Sequence, residues 1–122
     1  MMRTKFPRRS RLLKHADFER VYKQGRRHFS SHMTVFYSRQ EKCSARVGFT
    51  VGRVLGGAVE RNRIKRRLRE AVRQRHALLS GPVDVVINPK KSAIRVEFRA
   101  LLEEVDRAFE LIARKIAEDR KS

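Results

Sequence analysis

The chain lacks most of what marks a secreted, membrane-spanning or metal-dependent catalytic protein. Its single cysteine, Cys43, cannot close an internal disulfide and has no Cys or His partners at metal-ligand spacing, so no oxidising compartment is required. No window approaches the roughly 18 consecutive apolar residues of a membrane span. The longest aliphatic run near the basic start is Leu12-Leu13, which excludes a secretory signal. A cytosolic location without a membrane is therefore expected. Acids are also scarce, 13 against 31 Lys and Arg, and they are scattered, whereas a self-contained nuclease needs clustered carboxylates for its metals or a paired general acid and base. The one tight group, Glu103, Glu104 and Asp106, reads as a solvated face of the last helix. His28 and His32 stand four apart at a strand start with no further ligands, which does not make a metal site. His15 and His76 read as surface residues.

What is abundant is positive charge. The formal net charge is +18 in 122 residues, and charged residues make up 36% of the chain against about 25% in an average soluble domain. Leu, Ile, Val and Phe together number 33, enough for one folded core and not for two. A small body with such a surplus repels itself until a polyanion relieves the field. Of the basic residues 22 are Arg, whose planar fork grips phosphate and stacks on bases. Nucleic acid is the partner that composition favours.

Residues 1–14 carry Arg3, Lys5, Arg8, Arg9, Arg11 and Lys14 with no acid, the pattern of a basic arm tethered to a single domain over 15–122. Phe18, Val21 and Tyr22 recur at helical spacing within a short helix from His15 to Gln24, with Gly25 expected to end it in a left-handed cap. Met33–Tyr37 and Ala45–Val51 have the β-branched and aromatic content of strands. The polar stretch between them predicts that they pair as an antiparallel hairpin. After Gly56-Gly57, a helix from Ala58 to Leu79 is expected, stopped by Gly81-Pro82. Val83–Ile87 reads as a buried strand closed by Asn88-Pro89, and the stripe from Phe98 to Ile116 as a final amphipathic helix. The fold class is α+β, helices laid against one sheet.

The segment from Glu60 to Arg75, ERNRIKRRLREAVRQR, holds eight basic residues and two acids. On a helical wheel of about 100° per residue, Ile64, Leu68, Ala71 and Val72 face the core, with Arg75 snorkelling at the edge of that stripe. Asn62, Arg66, Arg69 and Arg73 fall on the opposite side, flanked by Arg63 and Glu70. Like charges at these spacings repel by a few tenths of a kcal/mol per pair, and a solvated face usually mixes signs. The arrangement points to a bound polyanion. The preceding Gly52–Gly57 stretch has neither the GK[ST] ending of a P-loop nor dinucleotide-fold spacing, and it reads as a turn needing positive φ and close packing.

The run VGFTVGR over Val47–Arg53, followed by GGAVERNRIKRRLRE over Gly56–Glu70, resembles the signature of the protein subunit of bacterial ribonuclease P, with Arg61-Asn62-Arg63 and Lys65-Arg66 as its most specific part. The resemblance extends to Arg11-Leu12, Asp17-Phe18, the valine-rich strand ending Asn88-Pro89 and the last helix. Arg53-Val54 stands where the family usually has two lysines, and Gly57 where it often has asparagine. The resemblance implies a small two-layer sandwich of order α-β-β-β-α-β-α, like a ribosomal-protein domain, with a left-handed βαβ crossover. General rules would have given the opposite hand. It further implies an auxiliary role, one protein per RNA: a large catalytic RNA removes the 5′ leader of precursor tRNA, with Mg²⁺ held mainly by that RNA and its substrate.

By the same resemblance, Arg61, Asn62, Arg63, Lys65, Arg66 and Arg69 would hold the catalytic RNA, with Arg53 and Arg73 adding to the cationic footprint. A cleft between the first helix and the sheet would take the single-stranded leader on Phe18, Tyr22 and Phe36, beside Arg11, Lys14 and Lys90. Aromatic faces stack on unpaired bases whatever their identity. An aromatic at helical or strand spacing serves a core equally well, and for Phe36 both roles stay open. Two other classes fit the composition: a ribosomal or RNA-chaperone protein with no part in tRNA maturation, and a nuclease acting without RNA.

Overall fold

The computed structural model describes residues 11, 14–41, 44–79 and 81–121. Most of the expected basic arm, and Cys43, lie outside them. The element order is α1 (His15–Gln24), β1 (Arg26–Phe29), β2 (Met33–Arg39), β3 (Arg46–Phe49), α2 (Ala58–Arg75), β4 (Val83–Pro89) and α3 (Phe98–Lys121), with tight 3-10 turns at Arg53–Leu55, His76–Leu78 and Lys91–Ile94. This is the α-β-β-β-α-β-α order, an α+β fold around one mixed sheet.

The strands lie in the order β1-β2-β4-β3. β2 pairs antiparallel with both β1 and β4, and β3 pairs parallel with β4. The expected β2–β3 hairpin does not form, because β4 inserts between them. The reason is burial: Val83, Val85 and Ile87 on one face and Val86 on the other are fully buried, so the strand is covered on both faces and takes the centre of the sheet. β3 is left with β4 as its paired strand, and α2 becomes the crossover between them. Arg11 adds a parallel bridge to Val47 on β3. β1 has no apolar alternation of its own and is mostly exposed.

Alternation along the strands divides the core in two. On one face Met33, Val35, Tyr37, Val47, Val83, Val85 and Ile87 pack against Ile64, Leu68 and Val72 of α2 and Leu101, Phe109 and Ile112 of α3. On the other, Phe36 and Val86 meet Val21 of α1, with Phe18 and Tyr22 against them. The α2/α3 layer on the sheet is the sandwich. The short α1 covers only part of the second face.

Local stereochemistry explains the helix ends. Gly25 has φ −83°, ψ 168°, which is extended and not the expected left-handed cap. Glycine is needed there for closeness: a Cβ would run into the Val21 carbonyl oxygen and lie 2.6 Å from that of Tyr37. Positive φ does occur at Gly56, 132°, where a Cβ would also meet the Glu60 carboxylate. That carboxylate accepts the Gly57 N–H at 2.8 Å, closing the first turn of α2.

The acids are mostly structural. Asp84, fully buried in β4, accepts Arg46 Nε at 2.9 Å and Arg46 Nη2 at 2.8 Å, and also a bond from Arg20 of α1. Asp17 accepts Arg20 Nη1 at 2.9 Å and lies 3.7 Å from Arg46. This ion cluster fastens α1 to the starts of β3 and β4. Glu103, Glu104 and Asp106 are not one solvated face. Glu104 is buried and accepts the His32 backbone N–H at 2.8 Å, Asp106 pairs with the snorkelling Arg75, and exposed Glu103 lies 3.9 Å from Arg99. His76 is half-buried, not a surface residue, and burial lowers its pKa. Removing one member of a buried ion cluster strands the others without compensation. Asp84→Ala is therefore expected to cost about 3–5 kcal/mol in urea unfolding, and Arg20→Ala, at the more exposed end, distinctly less.

Candidate nucleic-acid interface

α2 is amphipathic in charge as well as in hydropathy. Ile64, Leu68, Ala71 and Val72 are buried, while Asn62, Arg63, Lys65, Arg66 and Arg69 are exposed. Among the described residues none of those four cations has an ion-pair or hydrogen-bond partner. Arg61 is half-buried with its Nε unpartnered, and Arg53 projects from the turn before the helix, exposed. Arg73 stands apart from this set. Its Nε and Nη2 both bond the Glu70 carboxylate, at 2.9 and 2.6 Å, and those bonds raise its pKa. A fork already filled by a carboxylate is a weaker phosphate ligand than its neighbours.

Arg67, in the middle of the same segment, points inward. It donates to the carbonyls of Ala93 at 2.7 Å, Ile94 at 2.8 Å and Val96, so it anchors α2 to the turn before α3. Burial, then Arg63 nearby, lowers its pKa. Such an anchor cannot be told from its neighbours by composition, because only the fold puts three free carbonyls beside it. Between α2 and the start of α3, Arg63, Arg66, Arg67, Glu70 and Phe98 line an open groove of about 330 Å³.

The second surface lies between α1 and β3. His15, Phe18, Glu19, Tyr22, Phe49 and Thr50 line an open groove of about 480 Å³. Tyr22 donates its hydroxyl to Thr50 Oγ1 at 2.9 Å, which fixes the ring across the groove. Its edge meets the Phe36 ring, with centroids 4.8 Å apart and planes at 81°. Phe36 is only 8% exposed, with the Arg27 guanidinium 5.3 Å above its ring. It is the floor beneath Tyr22, while Phe18 and Tyr22 form the walls. The sequence reading missed Phe49 and Thr50; they follow the Val47–Gly48 pair whose pattern was read only as a strand.

The remaining cations flank these surfaces. Lys14 is exposed at the N-terminus of α1, and Arg11 is half-buried beside β3. Lys90 is exposed just past β4, its Nζ 3.2 Å from the Ser30 carbonyl oxygen. Mg²⁺ takes oxygen donors in octahedral geometry, but the carboxylates of Asp17, Asp84, Glu70 and Asp106 are committed to arginines and Glu104 to a backbone N–H. The described residues include no group of three His, Cys, Asp or Glu side chains suited to a metal ion. They do not fit a protein-held Mg²⁺ site.

Comparison with known proteins agrees on one family. The family model for Ribonuclease P matches residues 6–113. The "Ribonuclease P protein component" of Acidothermus cellulolyticus is 38% identical over 103 residues, covering 83% of this chain and 86% of that protein. That of a Geobacter species is 36% identical over 117 residues, 96% of this chain and 100% of the relative. The solved ribonuclease P protein of Thermotoga maritima superposes with a TM-score of 0.75 at 27% identity, covering 84% of this chain and 96% of that one.

The groove's floor and walls should separate in stability measurements. Phe36→Ala is expected to cost about 3–5 kcal/mol, whereas Phe18→Ala, at a half-exposed position, costs about 1 kcal/mol. Tyr22→Phe removes one hydrogen bond and should cost about 1 kcal/mol, read from urea midpoints at constant m-value.

Proposed function

The chain belongs to the bacterial ribonuclease P protein family, and on that premise we propose that it is the auxiliary subunit that binds the catalytic RNA and the 5′ leader of precursor tRNA. The observation that carries the reading is the outward face of α2, where Arg63, Lys65, Arg66 and Arg69 lie exposed and without partners among the described residues. In a chain of net charge +18, such a row stays uncompensated unless phosphates cover it. Arg61 and Asn62 at the start of the helix, and Arg53 before it, extend the same footprint.

In this reading the groove between α1 and β3 takes the single-stranded leader. Phe18 and Tyr22 offer ring surface to unstacked bases, and Phe36 supports them from below. Lys14 and Arg11 flank it as phosphate contacts, and Lys90, beside Ser30 past the end of β4, is a further one. Stacking on ring faces predicts low sequence preference in the leader. The groups that carry out hydrolysis belong to the RNA, with Mg²⁺ bound there and by the substrate. This chain's part is to hold and align two RNAs, one protein per catalytic RNA, in the cytoplasm. No helix among the described residues is long and apolar enough to cross a membrane.

The test is cleavage of a 5′-labelled precursor tRNA at low Mg²⁺ by the protein, by a bacterial ribonuclease P RNA, and by the two together. Cutting at the mature 5′ end by the mixture alone is the expected result. Cutting by the protein alone would place catalysis on this chain, and no gain over the RNA would leave a ribosomal or chaperone-type RNA-binding role. Arg66→Ala or Arg69→Ala should weaken assembly with the catalytic RNA and lower the salt slope of binding by about 0.7–0.9 per lost phosphate contact.

A further inference from the structure

The side of the sheet that carries α2 and α3 has a partly exposed aromatic ring of its own. Phe98 opens α3 and packs against the larger core, yet it stays half-buried and lines the groove formed with Arg63, Arg66, Arg67 and Glu70 of α2. Phe18, Tyr22 and Phe36 belong instead to the α1 layer, on the opposite face of the sheet. The two aromatic surfaces are therefore separate.

Arg67 fixes the shape of this groove. Its guanidinium spans the Ala93 carbonyl at 2.7 Å, the Ile94 carbonyl at 2.8 Å and the Val96 carbonyl, so the chain is tied to the middle of α2 two residues before Phe98. Committed to those carbonyls, Arg67 is a wall and not a ligand. Glu70, the one acid in the lining, accepts Arg73 Nε and Nη2 at 2.9 and 2.6 Å and Gln74 Nε2 at 3.3 Å, so its charge is answered from its own helix. Arg63 and Arg66 are exposed, and among the described residues their forks hold no partner.

An aromatic face beside free guanidinium groups suits a flat ring attached to a phosphate. The ring stacks on the phenyl face, and a guanidinium covers it or grips its phosphate. A volume of about 330 Å³ lies at the low end of the roughly 300–1,000 Å³ of small-molecule pockets, room for one base with its sugar and not for a duplex. The cations continue from the groove along α2 through Lys65 and Arg69, which gives partners to the phosphates of a longer chain that a free nucleotide would leave idle. We propose that this groove seats a single unpaired nucleotide of the catalytic RNA, its base stacked on Phe98 and its phosphate held by Arg63 or Arg66. The inference rests on the reading of the α2 face as the surface for that RNA. It adds selection by shape, because the groove needs a base turned out of its helix, whereas a row of cations accepts any backbone.

The experiment measures assembly of the full chain with a bacterial ribonuclease P RNA over a series of salt concentrations, together with 2′-hydroxyl acylation of that RNA, which reports nucleotides free to move. Phe98→Leu keeps an apolar contact with the core and removes the ring face. It should weaken assembly about fivefold, the lower end of what one stacked base contributes, with the salt slope unchanged because no phosphate contact is lost. It should also restore acylation at one unpaired nucleotide that the unaltered protein protects. Phe98→Tyr retains the ring and should match the unaltered protein in both readouts, and urea unfolding checks that both variants fold. Arg66→Ala serves as the reference and should lower the slope. If Arg66→Ala weakens assembly and Phe98→Leu does not, the subsite is refuted and the α2 face stands. If neither has an effect, the RNA-binding reading of α2 falls and takes the subsite with it. Weaker assembly of Phe98→Leu with no change at any single nucleotide would make the ring a packing residue only, and weaker binding of precursor tRNA with assembly intact would assign it to the substrate; either result overturns the proposal.

Discussion

β4 lies between an antiparallel neighbour and a parallel one, with helices on both of its faces. Much of the remaining architecture follows from that position. A strand buried on both sides needs a crossover to reach its parallel partner, and α2 is that crossover, so the Arg-rich segment is pinned against the sheet with its other side outward. The same burial places Asp84 out of water, where it must be paired. Arg20 and Arg46 converge on it, and their convergence sets where α1 rests. The groove is the gap between that resting place and the edge of the sheet.

Charge is divided by the fold along the same lines. The acids are used at joints: Asp84 and Asp17 under α1, Glu104 at the β1–β2 turn, Asp106 between α2 and α3, Glu60 at the start of α2. Two cations of the basic segment are used in the same way, Arg67 on backbone carbonyls and Arg75 on Asp106. Arg73 is held by Glu70 on the same helix, and Arg63, Lys65, Arg66 and Arg69 face outward together. A like-charged face of this kind is unfavourable for the protein alone, and it becomes favourable on a polyanion, with counterion release as the driving force.

The aromatic residues show how the same type serves opposite ends. Phe36 and Tyr22 are in contact, yet one is the buried floor and the other a wall fixed by its hydroxyl. Phe29, seven residues before Phe36, pairs with Thr34 and is 69% exposed. Spacing along the chain does not separate these cases. What separates them is the placement of α1, which packs over Phe36 and leaves Phe29 exposed.

Local patterns were legible where one segment carries its own signal. The bounds of α1, the apolar stripes of α2 and α3, the two-faced burial of β4 and the outward direction of Arg66 and Arg69 all follow from period and composition, because side-chain direction in a helix or strand is fixed by the backbone repeat. The ribonuclease P signature was equally legible, since it is a contiguous run. What the chain alone did not determine was which elements meet: the insertion of β4 between β2 and β3, the burial of Asp84 and Glu104, the inward turn of Arg67, the closeness that demands Gly25, and the floor position of Phe36. Each depends on a partner distant in sequence. Hydrophobic burial and the pairing of desolvated charges select that partner only once the whole sheet has closed.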